Sequence, residues 1–180
     1  MQIKTNFSNN TIPDQYGCNV ASDNLNHGIN QTSFPFTVTN LPKDSRYLSW
    51  TLIDYDTIPI FGFAWIHWSV TDYPVTSDNL TIESNFSQLA TIPQGRNSLD
   101  SLIQDLREPL WKGRKFRQSL TTHYSGPRPK DGIHHYRLSV YAMDSALNLE
   151  AGFGLNELMN RIDNVTITET SQNLLYERRP

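Results

Sequence analysis

The stretch Trp50-Thr-Leu-Ile-Asp-Tyr-Asp-Thr-Ile-Pro-Ile-Phe-Gly-Phe-Ala-Trp-Ile-His-Trp-Ser-Val70 sets two acids and a histidine between two apolar, strand-like runs. Side chains of a β-strand alternate between the two faces of a sheet, so Leu48, Trp50, Leu52 and Asp54 share one face, with Asp56 following in the same phase. Asp54 is therefore expected on the core-facing side of the first strand, residues 47–54. Residues 57–62, with a proline and a glycine, read as a loop. Residues 63–71 are apolar on both faces, the pattern of a central strand, and His67 sits in their middle.

A second stretch, Tyr124-Ser-Gly-Pro-Arg-Pro-Lys-Asp-Gly-Ile-His-His-Tyr-Arg-Leu-Ser-Val-Tyr-Ala-Met-Asp144, repeats that design, with polar groups at the mouth of an apolar strand. Alternation over residues 134–142 puts His134, Tyr136, Leu138, Val140 and Ala142 on one face and His135, Arg137, Ser139 and Tyr141 on the other. Asp54, His67, His134 and Tyr136 thus project from apolar faces or their ends. Burying such groups is costly unless they are paired, so they either satisfy one another or face a cavity that accepts a ligand.

Around these two stretches the chain is plainer. Residues 1–32 are rich in Asn, Asp, Gly and Thr and read as irregular or short-strand structure. Residues 33–38 read as a strand, followed by a turn at 40–45. Leu99, Leu102, Ile103 and Leu106 recur at helical spacing behind Asn97 or Ser98 as a cap, predicting a short helix over 97–106. Residues 112–117 form the one concentrated basic run, a solvated loop or a patch for an anionic ligand or acidic partner. Leu155, Leu158, Met159 and Ile162 give a helical stripe. Residues 165–175 are ambiguous, since their β-branched start suits a strand and Leu174-Leu175 suits a packed helix.

Composition bounds the class. The 180 residues fit a single domain spanning 1–180, with 37% hydrophobic and only 18% charged residues. The mean hydropathy of -0.51 therefore comes from neutral polar side chains, not from the charge excess of a disordered chain. A net charge of -3 argues against nucleic acid or an anionic membrane as the partner of the whole surface, so any anion must be caught locally. The lone Cys18, an N-terminus without an apolar segment and the lack of any membrane-length run lead us to expect a cytoplasmic protein.

Three segments together, Asp54-Tyr-Asp-Thr-Ile-Pro59, Ile66-His-Trp-Ser-Val70 and Gly126-Pro-Arg-Pro-Lys-Asp-Gly-Ile-His-His-Tyr136, resemble the signatures of the phosphatidylethanolamine-binding protein family, nearest to its bacterial, Raf kinase inhibitor-like branch. The resemblance implies a mainly β fold with peripheral helices, in which a large central antiparallel sheet packs on a smaller sheet. It also implies a pocket for phosphate, phosphoryl head groups or similar oxyanions at one end. Matched position by position, it assigns ligand-binding roles to Asp54, Asp56, His67, Pro127, Pro129, His134 and Tyr136. No catalytic residue, cofactor or metal is assigned, and residues 165–175 become a helix. Tyr55, the extra residue before Pro59, and His135 in place of the family's Arg depart from the pattern.

In chemical terms, the expectation is that His67, His134 and the Tyr136 hydroxyl donate to an anion while Asp54 orients a histidine. Pro127 and Pro129 would stiffen the wall, with Asp56 at the rim. Partners are then a phosphoryl-bearing small molecule and, by the branch's label, an unidentified protein such as a kinase. The oligomeric state stays open, a homodimer included. A hydrolase using the Asp and His groups as general base is the alternative. Against it, Tyr124-Ser-Gly-Pro lacks the leading glycine of a Gly-x-Ser-x-Gly elbow and the cluster holds no obvious nucleophile. A zinc site is a further alternative, but the histidine spacing matches no recognised ligand pattern.

Overall fold

The computed structural model describes residues 1–101 and 119–179. In chain order its strands are β1 (Gln2–Lys4), β2 (Phe36–Thr39), β3 (Tyr47–Asp54), β4 (Trp65–Pro74), β5 (Leu80–Ile82), β6 (Ile133–Met143) and β7 (Thr166–Glu177). Its α-helical segments are α1 (Ile58–Phe61), α2 (Phe86–Leu89) and α3 (Leu155–Ile162). The strands form two antiparallel sheets, one ordered β1-β2-β5 and the other β4-β3-β6-β7. The mainly β fold with a larger and a smaller sheet is as the resemblance implied.

The core lies between the sheets. Phe36 and Val38 of β2 and Leu80 and Ile82 of β5 meet Trp50 and Leu52 of β3, Trp68 and Val70 of β4, and Leu138 and Val140 of β6, all buried. Large rings fill the layer edge to face. Trp50 and Trp68 have centroids 5.3 Å apart and Phe34 stands against Tyr124 at 5.8 Å, arrangements that add to the area they bury. On the far face of the larger sheet, Tyr141 and Met143 pack under Leu158 and Ile162 of α3, which is the helical stripe seen in the sequence.

Several local expectations are corrected. Residues 165–175 are not helical: Val165 ends a turn and residues 166–175 belong to β7, the edge strand, where Thr166, Thr168 and Thr170 alternate with exposed neighbours. The pair Leu174-Leu175 divides by the same alternation, with Leu174 in the core and Leu175 half-buried on the other face. β-branched side chains favour the pleated surface, and here that preference decides. The loop at 57–62 contains one helical turn, α1, closed by Gly62 at φ 84°. The helix at 97–106 begins as expected, with the Asn97 side chain accepting from Leu99 N–H, but only a single turn at Ser98–Asp100 forms before Ser101 turns extended. The remainder of that expectation, and the basic run at 112–117, lie outside the described residues. No helix among the described residues is long and apolar enough to cross a membrane.

Trp68 is the ring on which both sheets converge, and its indole N–H also donates to Gln94 at 2.9 Å. Trp68→Ala is expected to lower the unfolding free energy by about 3–5 kcal/mol in urea titration, the range for removing a large buried ring. Leu89→Ala, at a side chain 75% exposed, is expected to shift the same transition by less than about 0.5 kcal/mol.

Candidate functional site

Register brings the two informative stretches together. In the β3–β6 ladder Asp54 faces Tyr136, so His134, two residues along the same face, is its diagonal neighbour. The Asp54 carboxylate uses that proximity: its Oδ2 accepts from His134 Nδ1–H at 2.7 Å, with both side chains buried, while its Oδ1 accepts from the Asp56 N–H at 2.9 Å. Thr57 Oγ1 donates to the Asp54 carbonyl at 2.8 Å and accepts from Trp65 N–H at 2.9 Å, tying the turn after β3 to the start of β4.

His67 arrives by a different device. The β3–β4 ladder pairs Leu52 with Trp68 and Ile53 with Ile66, so His67 is the unmatched residue of a bulge. A bulge re-aims a side chain that strict alternation would send to the other face. Here it brings the His67 ring edge-on to Tyr136, centroids 5.1 Å apart, while His134 stacks on Tyr136 at 6.5 Å. His67 Nδ1 lies 2.6 Å from the Ser125 carbonyl. A carbonyl only accepts, so Nδ1 carries the hydrogen and Nε2 is left with the lone pair. Burial, only partly offset by the Ser125 carbonyl and the Asp54 charge, pulls the His67 pKa below its ordinary value, and the ring is neutral near pH 7.

The two histidines line a cavity of about 390 Å³ at the end of the larger sheet. Asp54, Ser125, Gly126 and Pro129 share its wall, and Ile29, Ile60, Phe61, Trp65 and Leu99 make one side apolar. Gly126 has to be glycine: a Cβ there would lie 2.6 Å from the Tyr16 carbonyl oxygen, and its own N–H donates to the Asn30 carbonyl at 2.7 Å. Three cations complete the lining, Arg128, Lys130 and Arg178. Among the described residues none of them has a carboxylate within ion-pair distance.

Of the residues named from sequence, Asp54, His67, Pro129 and His134 line the cavity together. Tyr136 is fully buried beneath the histidines and is absent from the lining. Burial first, then the Asp54 charge, drives its phenol pKa far up, so it stays neutral. Pro127 is buried outside the lining, where its carbonyl accepts from Cys18 N–H at 2.9 Å. Asp56 faces the rim and accepts from the backbone N–H of His135 at 2.8 Å and from its ring at 2.9 Å. Partial burial opposes ionisation of Asp56, but the His135 hydrogen bonds, with the charges of His135 and His134, hold its carboxyl below the ordinary value. His135 points away from the cavity, as alternation required.

The cations are what sequence reasoning overlooked. In Gly126-Pro-Arg-Pro-Lys130 the prolines are buried and Arg128 and Lys130 exposed, so the alternation of an extended Pro-rich loop carried the signal. Arg178 is brought in by the N-terminal segment. Asn19 donates to the Glu177 carbonyl at 2.9 Å and accepts from Arg179 N–H at 3.0 Å, and Asp14 pairs with Arg179 at 2.8 Å.

These features define a class: a two-sheet antiparallel β protein with a cavity of histidines and arginines at one end of the larger sheet. The chain belongs to the phosphatidylethanolamine-binding protein family, whose model matches residues 2–177. It is 36% identical over 143 residues to the protein YxkA of Bacillus subtilis (strain 168), covering 79% of this chain and 80% of that one. A UPF0098 protein of Methanothermobacter thermautotrophicus is 25% identical over 180 residues, covering 99% of each chain. The crystal structure of E. coli YbcL, a member of the mammalian family, superposes with a TM-score of 0.69 at 18% identity, covering 99% of this chain and 98% of that one, a likeness of fold.

The lowered His67 pKa has a measurable consequence. Above its ordinary value of 6.5 the ring is neutral in both folded and unfolded chains, and nothing is lost. As pH falls below that value the unfolded chain takes up a proton that folded His67 resists, so stability declines. The ligand-free thermal midpoint is expected to drop between roughly pH 7.5 and pH 5.5, and to drop less in His67→Asn. Half-buried His123, lowered by burial in the same direction, contributes equally to both proteins and cancels in the comparison.

Proposed function

We propose that this chain is a binding protein for a small phosphoryl-bearing anion, held at the His67–His134 end of the cavity. One observation carries the reading: three cations without carboxylate partners among the described residues line the same cavity as two histidines anchored through Nδ1. Anchoring through Nδ1 leaves both Nε2 atoms for a ligand, and guanidinium groups match phosphoryl oxygens in bidentate geometry. His134, held to the Asp54 carboxylate through Nδ1, turns Nε2 to the ligand. His67, neutral and with its hydrogen on Nδ1, presents a lone pair. It therefore accepts from the hydroxyl of a phosphate monoanion, or takes up a proton as a dianion binds.

Both routes make affinity rise as pH falls from roughly 8 to 6. Titration of inorganic phosphate and phosphorylethanolamine, followed by NMR of the histidine rings, is expected to shift wild type and to leave His67→Ala nearly unmoved. Identical shifts in both proteins would sink the reading. Arg128→Ser is expected to weaken phosphate by about two- to fivefold and to flatten its salt dependence, as suits an exposed charge.

A further inference from the structure

We propose that the cavity also performs phosphoryl transfer, with His67 Nε2 as the nucleophile, His134 Nε2–H as the proton donor to the leaving oxygen, and a phosphate monoester of a small apolar or aromatic alcohol as substrate. The inference rests on the anion-binding reading of the same site and adds a covalent step to it. The obstacle to hydrolysis in the sequence was the lack of an obvious nucleophile in the cluster. The tautomers remove it, because a histidine held through Nδ1–H is itself a nucleophile at Nε2, and imidazoles form covalent phosphoryl intermediates.

The two histidines differ in the second partner that each has. His67 gives its Nδ1 hydrogen to a carbonyl at 2.6 Å, a neutral acceptor that leaves the ring neutral and its Nε2 pair available. His134 gives its Nδ1 hydrogen to the Asp54 carboxylate at 2.7 Å, which balances the charge of an imidazolium and so allows Nε2 to carry a transferable proton. Both rings pack on Tyr136, at 5.1 and 6.5 Å, which sets them against one cavity from different strands. Arg128, Lys130 and Arg178 line the same cavity and supply the positive charge that phosphoryl oxygens need in transfer. The apolar side of the cavity, with Phe61, Trp65 and Ile60, is suited to the alcohol part, and about 390 Å³ holds a single ring beside a phosphoryl group.

The step balances as follows. The His67 Nε2 pair attacks phosphorus, a P–N bond forms, and the P–O bond to the alcohol breaks. The leaving oxygen keeps that electron pair and takes the proton from His134 Nε2. In the second half water attacks the phosphohistidine and loses a proton to His134. The P–N bond then breaks with its electrons returning to His67. The net change is monoester plus water to alcohol plus phosphate, with no oxidant or metal required.

The test uses the full chain with phenyl phosphate, whose leaving oxygen needs a proton, and dinitrophenyl phosphate, whose leaving oxygen does not. After an alkaline quench, intact mass and peptide mapping are expected to find one acid-labile phosphoryl group on His67. His67→Asn retains an amide to meet the Ser125 carbonyl but has no Nε2, and is expected to lose both adduct and turnover. In single turnover at saturating substrate, His134→Asn is expected to slow adduct formation from phenyl phosphate by about 100-fold more than adduct formation from dinitrophenyl phosphate, a split that a merely structural role would not produce. Absence of adduct and turnover in wild type, while inorganic phosphate still shifts the histidine signals, would overturn the transfer step and leave the binding reading intact. An adduct that persists in His67→Asn would overturn it too. If phosphate does not bind, both readings fall.

Discussion

The pairing of β3 with β6 is the constraint on which the site depends. Trp50 lies opposite Val140 and Leu52 opposite Leu138, and these buried pairs hold the register; Asp54 then lies opposite Tyr136 and diagonal to His134. Because the side-chain period of a strand is two, a one-residue slip of β6 would carry His134 and Tyr136 to the outer face and expose His135 and Arg137 to the core. Core and site therefore share one cause. The apolar alternation that buries Leu138 and Val140 also fixes which imidazole meets the Asp54 carboxylate.

That shared cause explains what was legible. β3, β6 and α3 were readable because their periods are clean, and the faces of Asp54, His134, His135 and Tyr136 followed from alternation alone. The position of His67 depends on a bulge, and no residue between Trp65 and Val70 announces where one ladder gains a residue over its partner. The residues of β7 read ambiguously because two leucines in series are distinguished only by which face meets the core, and the helix expected there came from the resemblance. The rim pair of Asp56 and His135 was not anticipated as a pair, since it needs the same β3–β6 register to bring the two together.

The cationic lining illustrates a different limit. A chain of net charge -3 has no overall attraction for anions, so the charge must be concentrated by folding. Arg128 and Lys130 come from a loop in which alternate prolines turn them outward. Arg178 comes from the end of β7, held by Asp14 and Asn19 through Arg179 and the Glu177 carbonyl. Contacts across some 160 positions leave no local trace in sequence. The N-terminal segment, featureless when read alone, thus acts on the site by positioning the other terminus, and Asn30 supports the same wall through Gly126.

A carboxylate beside the cavity would repel the anion proposed for it, and how Asp54 is held bears on that proposal. At a few ångströms two like charges in a partly screened site oppose each other by about 4 kcal/mol, enough to cancel a good hydrogen bond. Asp54 avoids this because both of its oxygens are engaged, Oδ2 by His134 and Oδ1 by the Asp56 N–H. The carboxylate is thus held behind the His134 ring and away from the cavity. His67 has a carbonyl in place of a carboxylate behind it and, with its hydrogen on Nδ1, turns a lone pair outward. Two identical side chains are thus distinguished by the one atom each has at its back, a carboxylate oxygen or a carbonyl. The monoprotonated oxyanion proposed as ligand brings a hydroxyl that His67 Nε2, with its hydrogen on Nδ1, is placed to accept from.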